Sequence, residues 1–202
     1  FAEGWPPLHF DVRSVLRQVN EALQLSSPDE CGERRAGKRR GKGVAVTPKA
    51  SPATTFSTVS LRLGVDGSLQ INTSAVDMGQ GVHKTLAIIA AEQLGIPMEQ
   101  IMVTDPDTEF TSYEQATSAS RTTMSLGRIV ELAAKELRAR LTESFSQMFE
   151  MDPASIEFSG GRIHGEGQSL SIAELVARHV PSAGGEMIAH ATDPGTREGS
   201  SS

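Results

Sequence analysis

One long apolar stripe constrains this chain more than any other feature. Leu126, Val130, Ala133, Leu137, Leu141, Phe145 and Met148 recur at the three- and four-residue spacing of a helix face. The pattern predicts one helix over residues 119–149, on the order of 45 Å long at 1.5 Å per residue. Gly127 near its start is a place for a bend or a close packing contact.

The rest of the chain supplies shorter elements. Val12, Val15, Leu16, Val19, Ala22 and Leu23 predict a helix over 10–25, and Gly43 to Thr47 a short strand. Residues 56–63 and 69–73 alternate as two strands around Asp66-Gly67, which favours a two-residue hairpin turn. Val82, Leu86, Ile89 and Ala90 trace a helix over 82–94 that Gly95 ends, with Pro97 just beyond. A strand follows at Ile101–Thr104 and then a polar loop from Asp105 to Ser118. After Met151-Asp152-Pro153, residues 156–164 read as a hairpin turned at Gly160-Gly161, and Ser169 as the cap of a last helix reaching His179. Hairpins and helices alternate without a strict βαβ rhythm. The expected class is α+β, a mixed and mostly antiparallel sheet with packed amphipathic helices.

Bulk properties narrow the function classes. A chain of 202 residues can bury a substantial core. Aromatic residues are only 4% of it, so aliphatic side chains must fill that core. A net charge of −6 argues against general nucleic-acid binding. The basic run Arg34, Arg35, Lys38, Arg39, Arg40, Lys42 lacks interleaved aromatics for base stacking and reads as a solvated linker. Cys31 is the only cysteine, which excludes an internal disulfide and any four-cysteine metal site within the chain. No apolar run approaches the roughly 20 residues of a membrane span. The five histidines show no metal-ligand spacing, and Asp105, Asp107 and Glu109 lack the order of a calcium loop. A start at Phe1 suggests a processed chain or a cut from something longer.

Two short segments carry the chemistry. Asp77-Met78-Gly79-Gln80-Gly81 precedes the 82–94 helix, and Thr117-Ser118-Ala119-Ser120-Arg121-Thr122-Thr123 opens the long one. Glycines let a backbone approach a ligand closely. Free amides at a helix start, with the helix dipole behind them, favour an anion. Gln80 offers a donor and an acceptor, and Arg121 a charged fork for phosphate or carboxylate. Neither segment matches a phosphate loop or a dinucleotide fingerprint.

Together, Asp77-Met-Gly-Gln-Gly-Val-His83, Leu86-Ala-Ile-Ile-Ala-Ala-Glu-Gln-Leu-Gly-Ile-Pro97 and Thr117-Ser-Ala-Ser-Arg-Thr-Thr123 resemble the molybdenum hydroxylases. That family contains xanthine dehydrogenase, aldehyde oxidase and aerobic carbon-monoxide dehydrogenase. The likeness runs over roughly residues 40–180, within the second molybdopterin-binding part of the large subunit. It implies that Met78, Gly79, Gln80 and Gly81 line the cofactor, with Gln80 near the metal's oxo group. It also implies that Ser118, Ala119, Ser120, Arg121 and Thr122 hold the pterin and its phosphate end. The metal would be bound by the pterin dithiolene, so no side chain here is expected to be a metal ligand. Lys84 and Ala116 depart from the family's usual threonine and glycine. The family's catalytic glutamate segment has no counterpart, and Glu166 between Gly165 and Gly167 lacks its context. No catalytic residue is therefore assigned.

The resemblance implies a fragment of an oxidoreductase acting on aldehydes or N-heterocycles, inactive alone and contributing cofactor position. The expected partners are the rest of the large subunit with the other cofactor half, and iron–sulfur and flavin subunits or domains. The expected compartment is the cytoplasm. The expected divisions are 1–42 as helix and basic linker, 43–182 as part of a molybdopterin-binding domain, and 183–202 as a flexible tail. The alternative is a non-catalytic cofactor-binding or subunit-interaction module.

Overall fold

The computed structural model describes residues 11–25, 43–46, 56–118, 120–183 and 186–193. Cys31 and the 34–42 basic run lie outside these. The chain divides into two compact units, Phe1–Pro48 and Lys49–Ser202.

In the first unit the expected helix forms as α1, Val12–Leu23. Asp11 caps it by accepting from the Arg13 amide at 3.0 Å, and Gln24 ends it in the left-handed region. The strand expected at 43–47 does not form over 43–46, and Thr47 lies outside the described residues.

The second unit holds two sheets. The larger combines β1 (Ser57–Leu63), β2 (Leu69–Asn72), β3 (Ile101–Val103) and β7 (Met187–Asp193) in the order β3-β2-β1-β7. β1 runs antiparallel to β2 and β7, while β3 runs parallel to β2, so the sheet is mixed. β7 is the main correction. The stretch expected to be a flexible tail contains seven residues registered along the whole of β1, from Ser57 opposite Asp193 to Leu63 opposite Met187. An edge of β1 left bare would expose a row of unpaired backbone groups, and β7 covers it.

The β1–β2 connection also differs from expectation. The Gly64 amide pairs with the Ser68 carbonyl at 2.8 Å, and the Gly67 amide with the Gly64 carbonyl at 2.9 Å. Val65-Asp66-Gly67 is thus a three-residue turn with Gly67 left-handed, not a two-residue one.

Alternation sets the inner face: Val59, Leu61 and Leu63 of β1, with Leu69 and Ile71 of β2, are buried. Against them pack α2 (Val82–Leu94), through Val82, Leu86, Ala90 and Leu94, and α3 (Thr122–Phe149), through Leu126, Val130, Ala133, Leu137, Leu141 and Phe145. Each fully buried Leu contributes about 1.5–3 kcal/mol. The predicted stripe is the buried stripe of α3, except Met148, which remains 38% exposed at the last turn. The helix begins at Thr122 rather than 119, because Ser120 takes a left-handed φ of 57° that no helix accommodates.

The smaller sheet is an antiparallel meander of β4 (Glu157–Ser159), β5 (Arg162–Gly165) and β6 (Gln168–Ser171), leading into α4 (Ile172–Ala183). Gly160-Gly161 makes the first turn as expected. Gly165-Glu166-Gly167, set aside as lacking a catalytic context, leads into the second, with Glu166 and Gly167 left-handed. Ser169 therefore lies within β6. The cap belongs to Ser171, whose Oγ accepts from the Glu174 amide at 3.1 Å while Glu174 Oε2 accepts from the Ser171 amide at 2.7 Å. That reciprocal pair is a capping box.

Candidate functional site

The direction of the two helices decides whether the chemistry-bearing segments can cooperate. A Cβ built on Gly127 would come within 2.9 Å of the Ile89 δ-methyl, so α2 and α3 touch closely there. Further along both, Arg138 Nη1 donates to the Gln93 carbonyl at 2.7 Å. Contacts advance together along the two helices, so they run in the same general direction. Their starts, after Gly81 and at Arg121, lie at one end of the pair.

The first segment is folded onto itself. Asp77 Oδ1 accepts from the Gly79 and Gly81 amides at 3.0 and 3.2 Å, and Oδ2 from the His83 amide at 3.4 Å. The Gly79 amide, with further help from Gly81 and His83, holds the Asp77 carboxyl below the usual aspartate range. Gln80 Oε1 accepts from the Met78 amide at 2.6 Å, and its Nε2 donates to the Val76 carbonyl at 2.9 Å. The amides expected to be free are thus paired within the loop. The His83 ring is likewise turned inward, 2.7 Å from the Ala75 carbonyl. Gly79 and Gly81 have φ of 98° and 76°, and a Cβ on either would meet nothing within 4 Å. Glycine is required there by backbone conformation, and the space before both residues is open. Met78, Gly79 and Gln80 are exposed.

In the second segment Ser118 and Ser120 are exposed, whereas Arg121 and Thr122 are buried; Ala119 lies outside the described residues. Thr122 Oγ1 donates to Thr117 Oγ1 at 3.3 Å. The Arg121 guanidinium does not reach outward as a fork for an anion. Its Nη1 donates to the carbonyls of Gln115 and Ala116 at 2.5 and 2.8 Å, and its Nη2 to Glu114 Oε1 at 2.9 Å. Glu114 also accepts from Ser57 Oγ at 3.0 Å. Burial pushes the Glu114 carboxyl up, against the downward pulls of Ser57 and Arg121. Glu114 escaped the sequence reading because a lone glutamate in a polar loop has no local signature; its partner Ser57 begins a different strand.

The loop between β3 and α3 links the two segments. Ser74, just before the first segment, bonds Thr111 Oγ1 at 2.7 Å and the Ser112 carbonyl. The surface hollows found, about 380 Å³ beside Ile88, Glu92 and Ile96 and about 320 Å³ beside Arg62, Gln70 and Gln100, are not lined by either segment. Met78, Gly79, Gln80, Ser118 and Ser120 are exposed, so the paired helix starts present an open face. Three amides already converge on the Asp77 carboxylate, which stands as an internal anion in the field of the helix start. Among the described residues no cluster of three metal-ligating side chains occurs, and no helix is long and apolar enough to cross a membrane.

The chain is similar to known proteins over most of its length. A family model described as the molybdopterin cofactor-binding domain matches residues 18–201. The 6-hydroxypseudooxynicotine dehydrogenase complex subunit gamma of Paenarthrobacter nicotinovorans is 30% identical over 182 residues, covering 87% of this chain and 23% of that protein. The carbon monoxide dehydrogenase large chain of Hydrogenophaga pseudoflava is 29% identical over 147 residues, covering 69% of this chain and 18% of the relative. Among solved structures, quinoline 2-oxidoreductase from Pseudomonas putida 86 aligns with a TM-score of 0.61 at 28% identity, over 70% of this chain and 19% of that one. The chain spans between 18% and 23% of the length of these relatives.

Proposed function

The chain belongs to the molybdopterin cofactor-binding domain family, and from that premise we propose that it is the segment of a molybdenum hydroxylase large subunit that positions the cofactor. The observation carrying the proposal is the shared end of α2 and α3, where Met78, Gly79, Gln80, Gly81, Ser118 and Ser120 face outward or into open space. The Met78 amide and the Gln80 side chain, with hydroxyls and amides of 118–122, hold the pterin and its phosphate, while the Gly79 and Gly81 amides stay on Asp77 and shape the loop. Taking up the ligand requires Gln80 to exchange its bonds to Met78 and Val76 for ligand bonds, a near-neutral exchange for an exposed amide. The cofactor supplies the redox chemistry, and this chain supplies orientation and electrostatics.

In the intact protein the substrate class is aldehydes or N-heterocycles. Its partners are the other cofactor-binding half and electron-transfer domains carrying iron–sulfur clusters or flavin, and its compartment is the cytoplasm.

The test is the pterin and molybdenum content of the purified intact protein, with and without Gly79→Ala and Gly81→Ala together. Side chains at two left-handed positions distort the loop without a clash. Cofactor content should fall about tenfold, the equivalent of ~1.4 kcal/mol. Unchanged content removes the assignment. Pterin retained by the unaltered protein without turnover of any aldehyde or N-heterocycle would favour the non-catalytic module instead.

A further inference from the structure

The Glu114–Arg121 ion pair is unusually costly for its place. Its atoms lie 2.9 Å apart, and the two side chains are 2% and 0% exposed. Removing two such charges from water is expensive, and pairing them rarely yields net stability over apolar residues of the same size. The pair is also incompletely satisfied: Glu114 Oε2 and Arg121 Nε are buried without a hydrogen-bond partner. Stability alone is a poor account of it.

Its geometry offers a better one. Arg121 returns to the carbonyls of Gln115 and Ala116 and to the Glu114 carboxylate, so Glu114, Gln115, Ala116 and Arg121 are tied into a ring. Ser57 moors that ring to the first residue of β1 through its hydroxyl and a backbone bridge to Glu114. Ser120, next to Arg121, holds a left-handed φ of 57°. A non-glycine residue keeps such a conformation only where its surroundings over-determine it. The buried ring is the constraint on one side, and α3 is the constraint on the other.

We infer that Glu114 is a positioning residue: acting through Arg121, it fixes the turn at Ser120 and so aims the amides and hydroxyls of residues 118–122 at the cofactor. The inference rests on the cofactor role proposed above.

The test measures pterin per chain, released and oxidised to its fluorescent form, together with the melting temperature of the intact protein. Glu114→Gln keeps the shape and removes the charge. It should lower retained pterin about tenfold, because the competent loop conformation becomes a minor one. Glu114→Leu combined with Arg121→Met should restore the melting temperature, as apolar replacement of a buried pair commonly does, and leave pterin low. Ser57→Ala, a milder change that leaves the pair in place, should give an intermediate loss. Wild-type retention in Glu114→Gln, or recovery of pterin together with stability in the double variant, overturns the inference. If the double variant does not fold, the Glu114→Gln and Ser57→Ala retentions decide alone. The Gly79→Ala, Gly81→Ala protein separates the two levels. If it loses pterin while Glu114→Gln keeps it, only the positioning role falls. If both keep it, the cofactor site itself falls.

Discussion

The Gly161 amide donates to the Gly95 carbonyl at 2.7 Å, fastening the first turn of the small sheet to the end of α2. Gly95 has a φ of 63°, and a Cβ on it would lie 2.8 Å from the carbonyl carbon and oxygen of Phe158. Gly95→Ala therefore meets both a conformational and a steric penalty. We expect a loss of about 1–3 kcal/mol, read as a lower urea midpoint with an unchanged slope. An unmoved midpoint would show that the junction yields freely.

Gln80→Ala should separate function from stability. The Gln80 amide bonds only backbone groups of its own exposed loop, Met78 and Val76, so its loss should cost at most about 1 kcal/mol of stability. In the intact enzyme its removal should lower turnover by a larger factor than that. Matched measurements of kcat/KM and melting temperature check this. Untouched activity with impaired folding would contradict the cofactor contact assigned to Gln80.

Acid should loosen the first segment before the core. The Asp77 carboxyl is held below its ordinary value, so the folded loop favours its charged form. The resulting stabilisation is fully present above the ordinary aspartate range and is lost as the pH falls through the lower folded value. The amide resonances of Gly79, Gly81 and His83 should shift together in that acid window, and Asp77→Asn should abolish the shared titration. Independent midpoints for the three amides would refute a common carboxylate acceptor.

Ser171→Ala should destabilise α4. It removes the hydroxyl that accepts from the Glu174 amide and also donates to the Glu174 carboxylate at 2.8 Å. The expected cost is about 1 kcal/mol, within the usual 0.5–2 range for an N-cap. Thermal unfolding measures it directly. A comparable effect from Ser169→Ala, which lies in β6, would contradict the capping assignment.

The extent to which the sequence was legible followed the range of the interactions involved. Residues 82–94 and the Gly95 stop, the apolar face of α3 and the Gly160-Gly161 turn could be read because each depends on neighbours within a turn or two. β6 was missed because four residues with a single buried apolar position, Leu170, carry too little alternation to register. The strand β7 was missed for a different reason. Its polar flanks resemble a tail, and only the bare edge of β1 makes it a strand.

The candidate site divides the same way. Spacing alone marked 77–81 and 117–123 as two helix starts rich in glycine and hydroxyls, since loop chemistry and helix signals are local. Their placement at one end of α2 and α3 came from packing, through Ile89 against Gly127 and Arg138 against Gln93. Tertiary structure alone also turned Arg121 inward, because its carboxylate partner is held by a hydroxyl on β1. Sequence by itself determined which segments could present donors to a ligand. The inward direction of Arg121 was decided by burial beside a carboxylate that a distant strand holds, which rewards a charge for finding its counterion and cannot be read from the residues beside it.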